Sequence, residues 1–236
     1  MKTVLHKAES RNTIKNEWLT ATQSFSFGGY YDPEKTNFGM LRVLNDDYIM
    51  GGKGFGDHPH SNMEIISVGL EGELKHEDSA GNEAVTAGGD IQVISAGTGI
   101  FHSEYNNLPD TPVKLLQIWI YPNKKNVEPR YDHQSIDQSK LKNRFHQILS
   151  PNPDDDGVWV YQDVWFSMGE FNEEKVIDYT VKRKNNGVYA FVIEGDIKIE
   201  DQELNKRDAL GIWEKDHLQI EVTPNSKVLL IDIPMS

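Results

Sequence analysis

The chain has 236 residues, of which 37% are hydrophobic and 26% charged, and its formal net charge is −13 at pH 7. This acidic balance repels nucleic acid and anionic membrane surfaces, so we expect the protein to bind neither. The absence of cysteine excludes disulfides, thiolate metal sites and cysteine nucleophiles, and restricts any metal to nitrogen and oxygen ligands. No segment has the apolar pattern of a signal peptide or a membrane-spanning helix, which predicts a cytoplasmic protein.

Short strand-like runs fill the first half of the chain. Residues 38–120 contain "GMLRVL", "MEIISVGL", "GELKHE", "DIQVISA" and "VKLLQIWIY", each bounded by turn-forming residues. Several short strands at this spacing are typical of a β-sandwich or barrel. We therefore predict an all-β amino-terminal domain over residues 1–121.

The composition changes in the middle of the chain. Residues 122–157 are polar and contain "SPNPDDDG", which predicts a linker, with a short helix near residues 135–143. Strand-like runs then resume, among them "VWVYQDVWFSM", "GVYAFVIEG" and "KVLLIDIPM", and "NNG" at 185–187 is a hairpin signal. These runs predict a second β domain over residues 158–236.

An internal repeat relates the two halves. The stretch "LEGELKHED" at 70–78 resembles "IEGDIKIED" at 193–201, and this self-similarity predicts two β domains built on one plan. Three histidines of the first half have no histidine counterpart in the second. His58, His60 and His102 project onto Val181, Arg183 and the vicinity of Ile220.

Two short motifs suggest a metal site in the first domain. His58 and His60 flank a proline, and residues two apart in a strand point to the same face, about 7 Å apart along the backbone. The stretch "HSE" repeats this spacing with His102 and Glu104, so that two strands supply four ligands, which suit a divalent ion such as Fe(II), Ni(II), Co(II), Mn(II) or Zn(II). Glu64 lies four residues after His60, so in a continuous strand it points to the same face. It is therefore a second candidate for the carboxylate ligand. The alternative is that these are ordinary surface or hydrogen-bonded histidines.

Other residues are candidates for a substrate pocket. On "VKLLQIWIY", Gln117 and Trp119 belong to the more polar and aromatic face, which predicts that they line a cavity. Glu64 and Met40 are further candidates for its wall. His76 precedes "EDSAGN" and is predicted to be a solvated residue at a hairpin tip.

The stretches "SFSFGGYYDP", "FGMLRVLNDD", "GDHPHSNME", "HEDSAGN" and "SAGTGIFHSE" closely resemble the pirin family, and above all the bacterial pirin-like quercetinases, which are bicupins of the cupin superfamily. The resemblance covers most of residues 17–121, while the second half is similar only to a degenerate cupin. It implies two double-stranded β-helix (jelly-roll) barrels, of which the first binds the metal. The implied ligands of one divalent ion, with Fe(II) favoured, are His58, His60, His102 and Glu104.

The resemblance also implies an activity. A quercetin 2,3-dioxygenase opens the heterocycle of a flavonol with O2 and releases carbon monoxide, and Glu104 would be the base that accepts the proton of the flavonol hydroxyl. One alternative is a dioxygenase-like enzyme that acts on another aromatic substrate. The other is a non-enzymatic metal-binding regulatory or protein-interaction module of the pirin type. The negative charge of the chain allows such a protein partner.

Overall fold

A computed structural model describes all residues from 1 to 236 and contains 22 β-strands, one short α-helix and one 3₁₀ turn at Ala8–Ser10. The strands of the first half are β1 (Lys2–His6), β2 (Asn12–Lys15), β3 (Leu19–Gln23), β4 (Leu41–Ile49), β5 (Gly54–His60), β6 (Glu64–Glu71), β7 (Glu73–Asp78), β8 (Glu83–Ala87), β9 (Asp90–Ser95), β10 (Ile100–Asn106) and β11 (Val113–Ile120).

The second half contains the helix α1 (Gln138–Leu141), which lies within the predicted range 135–143, and eleven strands. These strands are β12 (Arg130–Ser135), β13 (Phe145–Ser150), β14 (Val158–Trp159), β15 (Trp165–Phe171), β16 (Lys175–Thr180), β17 (Asn186–Glu194), β18 (Ile197–Ile199), β19 (Gln202–Leu204), β20 (Ala209–Trp213), β21 (His217–Val222) and β22 (Ser226–Pro234). The one α-helix is far too short to cross a bilayer.

The strands form two barrels, as predicted, and each barrel consists of a seven-stranded and a four-stranded sheet. In the first barrel the large sheet has the order β12-β9-β6-β11-β4-β3-β2 and the small sheet the order β5-β10-β7-β8. In the second barrel the orders are β1-β20-β17-β22-β15-β13-β14 and β16-β21-β18-β19. All strand pairs are antiparallel except β13 with β14.

Two segments depart from the predicted domain limits. The strand β1 pairs with β20 of the second barrel, although it lies within the range 1–121 predicted for the first. The range 122–157 is not a free linker, because β12 pairs with β9 of the first barrel and β13 with β15 of the second. Both β1 and β12 are edge strands, which need little apolar alternation and are therefore hard to recognise from sequence.

The two large sheets pack against each other and form the main hydrophobic core. This cluster has 27 buried residues and takes side chains from both barrels, for example Leu44 and Ile66 from the first and Phe166 and Phe191 from the second. The interior of the second barrel is a continuous cluster of 15 buried apolar residues. The interior of the first barrel instead holds two clusters of four residues each, with polar side chains and open space between them.

The strand pairing shows why the second barrel has no comparable space. In the first barrel Glu104 pairs with His76, and in the second Ile220 pairs with Ile199, which is related to His76 by the internal repeat. Ile220 therefore takes the place of Glu104 rather than that of His102, which corrects the projection made from sequence. Both isoleucines are fully buried in the apolar interior of the second barrel.

Candidate metal centre

Two neighbouring strands of the small sheet bring the predicted histidines together. His102 on β10 is the direct cross-strand partner of His58 on β5, and Ile100 is the partner of His60. The register then shifts between His102 and Glu104, and such a bulge bends the strand and re-aims its side chains. At the start of β5 a Cβ on Gly54 would overlap the carbonyl oxygen of Glu104, so only glycine allows this close approach.

The three imidazoles converge on one point. The ring centroids of His58 and His102 are 4.3 Å apart, and the ring centroid of His60 lies 4.9 Å from each of these two. One ligand nitrogen from each ring lies within 4.8 Å of the other two. The Nε2 atoms of His60 and His102 are buried and have no hydrogen-bond partner. Buried polar atoms without partners are rare in folded proteins, so the lone pairs of these two Nε2 atoms are suited to binding a cation.

The protonation states of the rings also suit a metal. Burial lowers the pKa of His60 to about 4 and that of His102 to about 3, so both rings are neutral at neutral pH. The Nδ1 atom of His58 lies 2.8 Å from the carbonyl oxygen of Gly56 and must donate to it, which leaves Nε2 with the lone pair. A neutral imidazole with an oriented lone pair is the form that binds metals.

His76 is not the solvated hairpin residue that the sequence predicted. The strand β7 continues to Asp78 before the turn begins, so His76 is fully buried and stacks on Tyr131 at a centroid distance of 4.6 Å. Its Nδ1 atom lies 3.5 Å from Nδ1 of His102, and its Nε2 atom lies 3.0 Å from the carboxylate of Asp78. If Nε2 of His102 is to keep its lone pair, Nδ1–H of His102 donates to His76, and Nε2–H of His76 donates to Asp78.

We expect the His76→Phe variant to bind Ni(II) about 10–100-fold more weakly, which is the usual effect of removing a hydrogen-bond partner of a metal ligand. Phenylalanine keeps the aromatic stacking on Tyr131 but removes both ring nitrogens. Competition with a chelator measures the affinity, and His133→Phe on the edge strand β12 is the matched control. An affinity within twofold of the wild type would show that His76 does not orient His102.

The carboxylate of Glu104 is buried and held by amides. Its Oε1 accepts a hydrogen bond from Nε2 of Gln92 at 2.8 Å, and its Oε2 accepts one from Nε2 of Gln117 at 2.8 Å. The hydroxyl of Ser67 lies 3.4 Å from Oε1. Burial raises the pKa of Glu104 to about 7 despite these donors. One of its oxygens lies within 4.8 Å of ligand atoms of His76 and His102, so His102 belongs to both groups of potential ligands.

A cavity of about 470 Å³ opens beside these groups, a volume typical of small-molecule sites. His58 and Glu104 are among the residues that line it. Its walls are aromatic: Phe27 meets Trp119 edge to face at a centroid distance of 5.0 Å, and Trp18 meets Phe55 at 5.2 Å. Trp18 and Phe55 carry no recognisable signal in the sequence, because they lie outside the two histidine motifs and reach the cavity through sheet pairing.

Of the four predicted pocket residues, Gln117 and Trp119 line the cavity, whereas Glu64 and Met40 do not. The chain turns between β5 and β6 at Asn62, which has a φ of 49°, so the parity of His60 does not extend to Glu64. Glu64 instead accepts a hydrogen bond from Ser95 at 2.7 Å. Met40 packs against the core between the barrels, and its backbone N–H donates to the carbonyl of Pro234.

Known proteins are similar to this chain along its whole length. The family model described as Pirin matches residues 5–120, and the one described as Quercetinase C-terminal cupin domain matches residues 147–233. A relative from Escherichia coli (strain K12) named quercetin 2,3-dioxygenase is 38% identical over 234 residues, which are 98% of each chain. The crystal structure of YhhW from Escherichia coli has a TM-score of 0.95 at 36% identity and covers 100% of this chain and 99% of its own. A structure described as bacterial pirin YhhW in complex with nickel(II) has a TM-score of 0.94 at 35% identity and covers 100% of both chains.

Proposed function

Because the chain belongs to the pirin family, we propose that its first barrel holds one divalent metal ion and opens the heterocycle of a flavonol with O2, as a quercetin 2,3-dioxygenase does. The observation that carries this proposal is the position of the imidazoles: the three rings converge beside an aromatic-walled cavity that is lined by His58 and Glu104. A flat aromatic ligand fits between such walls.

We propose His58, His60 and His102 as ligands through Nε2, with Glu104 as the fourth ligand and Fe(II) as the first ion to test. The unpaired Nε2 atoms of His60 and His102 support this assignment, and so does the nickel complex of the relative from Escherichia coli. When bound, such an ion lowers the pKa of a phenolic hydroxyl and activates O2.

The remaining chemistry belongs to residues of the chain itself. Glu104 accepts the proton of the flavonol 3-hydroxyl on a carboxylate oxygen, while Gln92 and Gln117 hold that carboxylate in place. Phe27 and Trp119 pack against the flat rings and exclude water from the reacting edge. As the C2–C3 and C3–C4 bonds break, both atoms of O2 enter the ester product and C3 leaves with its own oxygen as carbon monoxide. The proton held by Glu104 returns to the new carboxylate of that product.

The Glu104→Gln variant tests the role of the carboxylate. We expect quercetin turnover to fall roughly 10²–10⁴-fold, which is the usual contribution of a general base. Metal content should fall far less than turnover, because the three imidazoles and the amide oxygen of the new glutamine can still bind the ion. Oxygen uptake and elemental analysis of the same sample measure the two quantities.

Glu64→Gln is the matched control, because Glu64 is a buried carboxylate of the same barrel that lies outside the cavity. It should retain both metal and turnover. If Glu104→Gln lost metal and turnover to the same extent, Glu104 would be a ligand only, and the base would have to be another group.

A further inference from the structure

A row of polar side chains crosses the inner face of the large sheet of the first barrel. Its members are direct cross-strand neighbours from β9 through β6, β11 and β4 to β3, in the order Gln92, Ser67, Gln117, Asn45 and Gln23. The first three hold the carboxylate of Glu104. The row then continues beyond that carboxylate to Asn45 and Gln23, which also line the cavity.

The end of this row at Asn45 and Gln23 has unused hydrogen-bonding capacity. Asn45 and Asp47 lie on the same face of β4, are 3% and 5% exposed, and line the cavity. The Oδ1 atoms of both side chains are buried and have no hydrogen-bond partner. The side-chain oxygen of Gln23 accepts a hydrogen bond from Asn12, which leaves its amide N–H groups available. Buried polar atoms of native proteins are nearly always paired, so these atoms point to a missing ligand.

Space and charge at this end define the kind of ligand group that fits. Asp47 faces Ala21 across β3, and the small alanine side chain leaves room beside the carboxyl. No lysine or arginine lines the cavity, whereas the two acids Asp47 and Glu104 do. Burial raises the pKa of Asp47 to about 8, which keeps much of it protonated at neutral pH. Such a site pairs with neutral hydroxyls and disfavours an anionic substituent.

We propose that Gln23, Asn45 and Asp47 form a second polar end of the substrate site, which hydrogen-bonds the hydroxyl groups of a flat polyphenol other than the one beside Glu104. These residues select neutral polyhydroxylated aromatics over aromatics that carry a carboxylate, sulfate or phosphate at that end. This proposal rests on the proposed function in one respect, namely that the hydroxyl bound near the metal ligands is the one that reacts.

Binding without turnover tests this site. Anaerobic titration of the metal-loaded protein, followed by quenching of tryptophan fluorescence, gives a dissociation constant because Trp18 and Trp119 line the cavity. We expect quercetin to bind at least about tenfold more tightly than 3-hydroxyflavone, which lacks the other hydroxyls, because a site built for hydroxyl groups rejects an analogue without them. In the Asn45→Leu and Asp47→Leu variants the ratio of quercetin affinity to 3-hydroxyflavone affinity should fall towards one, while the affinity for 3-hydroxyflavone changes less than threefold.

A charge test complements the first. The Asp47→Asn variant keeps hydrogen-bonding groups but removes the acid, so it should retain quercetin affinity at pH 7. At pH 9, where Asp47 of the wild type is mostly ionised, the variant should bind 3-hydroxyflavone-4′-carboxylate about tenfold more tightly than the wild type does. Tyr48→Phe, on the outer face of the same strand, is the matched control. It should change neither the ratio of quercetin affinity to 3-hydroxyflavone affinity nor the affinity for the carboxylate. Circular dichroism melts identify any variant that fails to fold, and Asp47→Asn is the least disruptive of them.

The outcomes separate this inference from the proposed function. Equal wild-type affinities for quercetin and 3-hydroxyflavone would overturn the inference, even if quercetin were turned over. A ratio that survives in both leucine variants would overturn it too. If the affinity ratio falls to about one in those variants while the metal-loaded protein consumes no O2 with quercetin, the polar end of the substrate site is supported and the dioxygenase proposal fails.

Discussion

Replacing His102 by alanine is expected to weaken divalent metal binding by well over a hundredfold and to abolish the activity that depends on the ion. His102 is the one residue that belongs to both groups of potential ligands, and its Nε2 is a buried lone pair without another partner. Loss of an outer-shell partner already costs about 10–100-fold in affinity, so loss of the ligand itself costs more. The substitution also leaves Nδ1 of His76 without the donor it faces.

Isothermal titration with Ni(II) and elemental analysis of the purified protein measure this effect. His217→Ala is the matched control, because this exposed histidine lies in the second barrel and its ring is hydrogen-bonded to Thr180. It should bind metal as the wild type does. A His102→Ala protein with wild-type metal content would place the metal elsewhere in the chain.

The Phe166→Ala variant is expected to lose about 3–5 kcal/mol of unfolding free energy, the usual cost of removing a buried phenylalanine side chain. Phe166 is fully buried in the cluster that joins the large sheets of the two barrels. For a chain of this size the loss corresponds to a fall in melting temperature of roughly 6–20 °C. Because the cluster takes side chains from both barrels, we expect them to unfold in one transition.

Differential scanning calorimetry measures the melting temperature and the number of transitions. Val176→Ala on β16 is the control, because Val176 is 57% exposed and its truncation should change stability by less than about 0.5 kcal/mol. Two separate transitions, of which Phe166→Ala lowers only one, would show that the shared core does not couple the barrels.

The convergence of His58, His60 and His102 depends partly on a local signal. In a strand, residues two apart share a face, so "HPH" places His58 and His60 together, whereas their approach to His102 depends on the pairing of β5 with β10. The bulge between His102 and Glu104 is not visible to this rule. The same rule fails for Glu64, since the positive φ of Asn62 breaks the strand before it. It also misplaces His76, whose burial depends on how far β7 continues before its turn.

Non-local pairing accounts for what the sequence does not reveal. Asn45 and Asp47 reach the cavity only because β4 pairs with β11 and β3 in a particular register, and a shift of one residue would turn both side chains to the other face. The pairing of β1 with β20 joins opposite ends of the chain and leaves no local trace. The family resemblance predicts the two barrels, whereas the polar row across the large sheet becomes visible only when the strands are aligned.

The proposed function makes the first barrel a metal-dependent site for ring opening of a flavonol by O2. The most direct test is anaerobic reconstitution of the metal-free protein with Fe(II), Ni(II), Co(II), Mn(II) or Zn(II), followed by addition of quercetin and O2. We predict metal-dependent oxygen uptake with one carbon monoxide released for each quercetin consumed, and no uptake in the His102→Ala variant. Stoichiometric metal binding with neither oxygen uptake nor carbon monoxide release from any of the five reconstituted forms would contradict the claim and favour a regulatory metal-binding module.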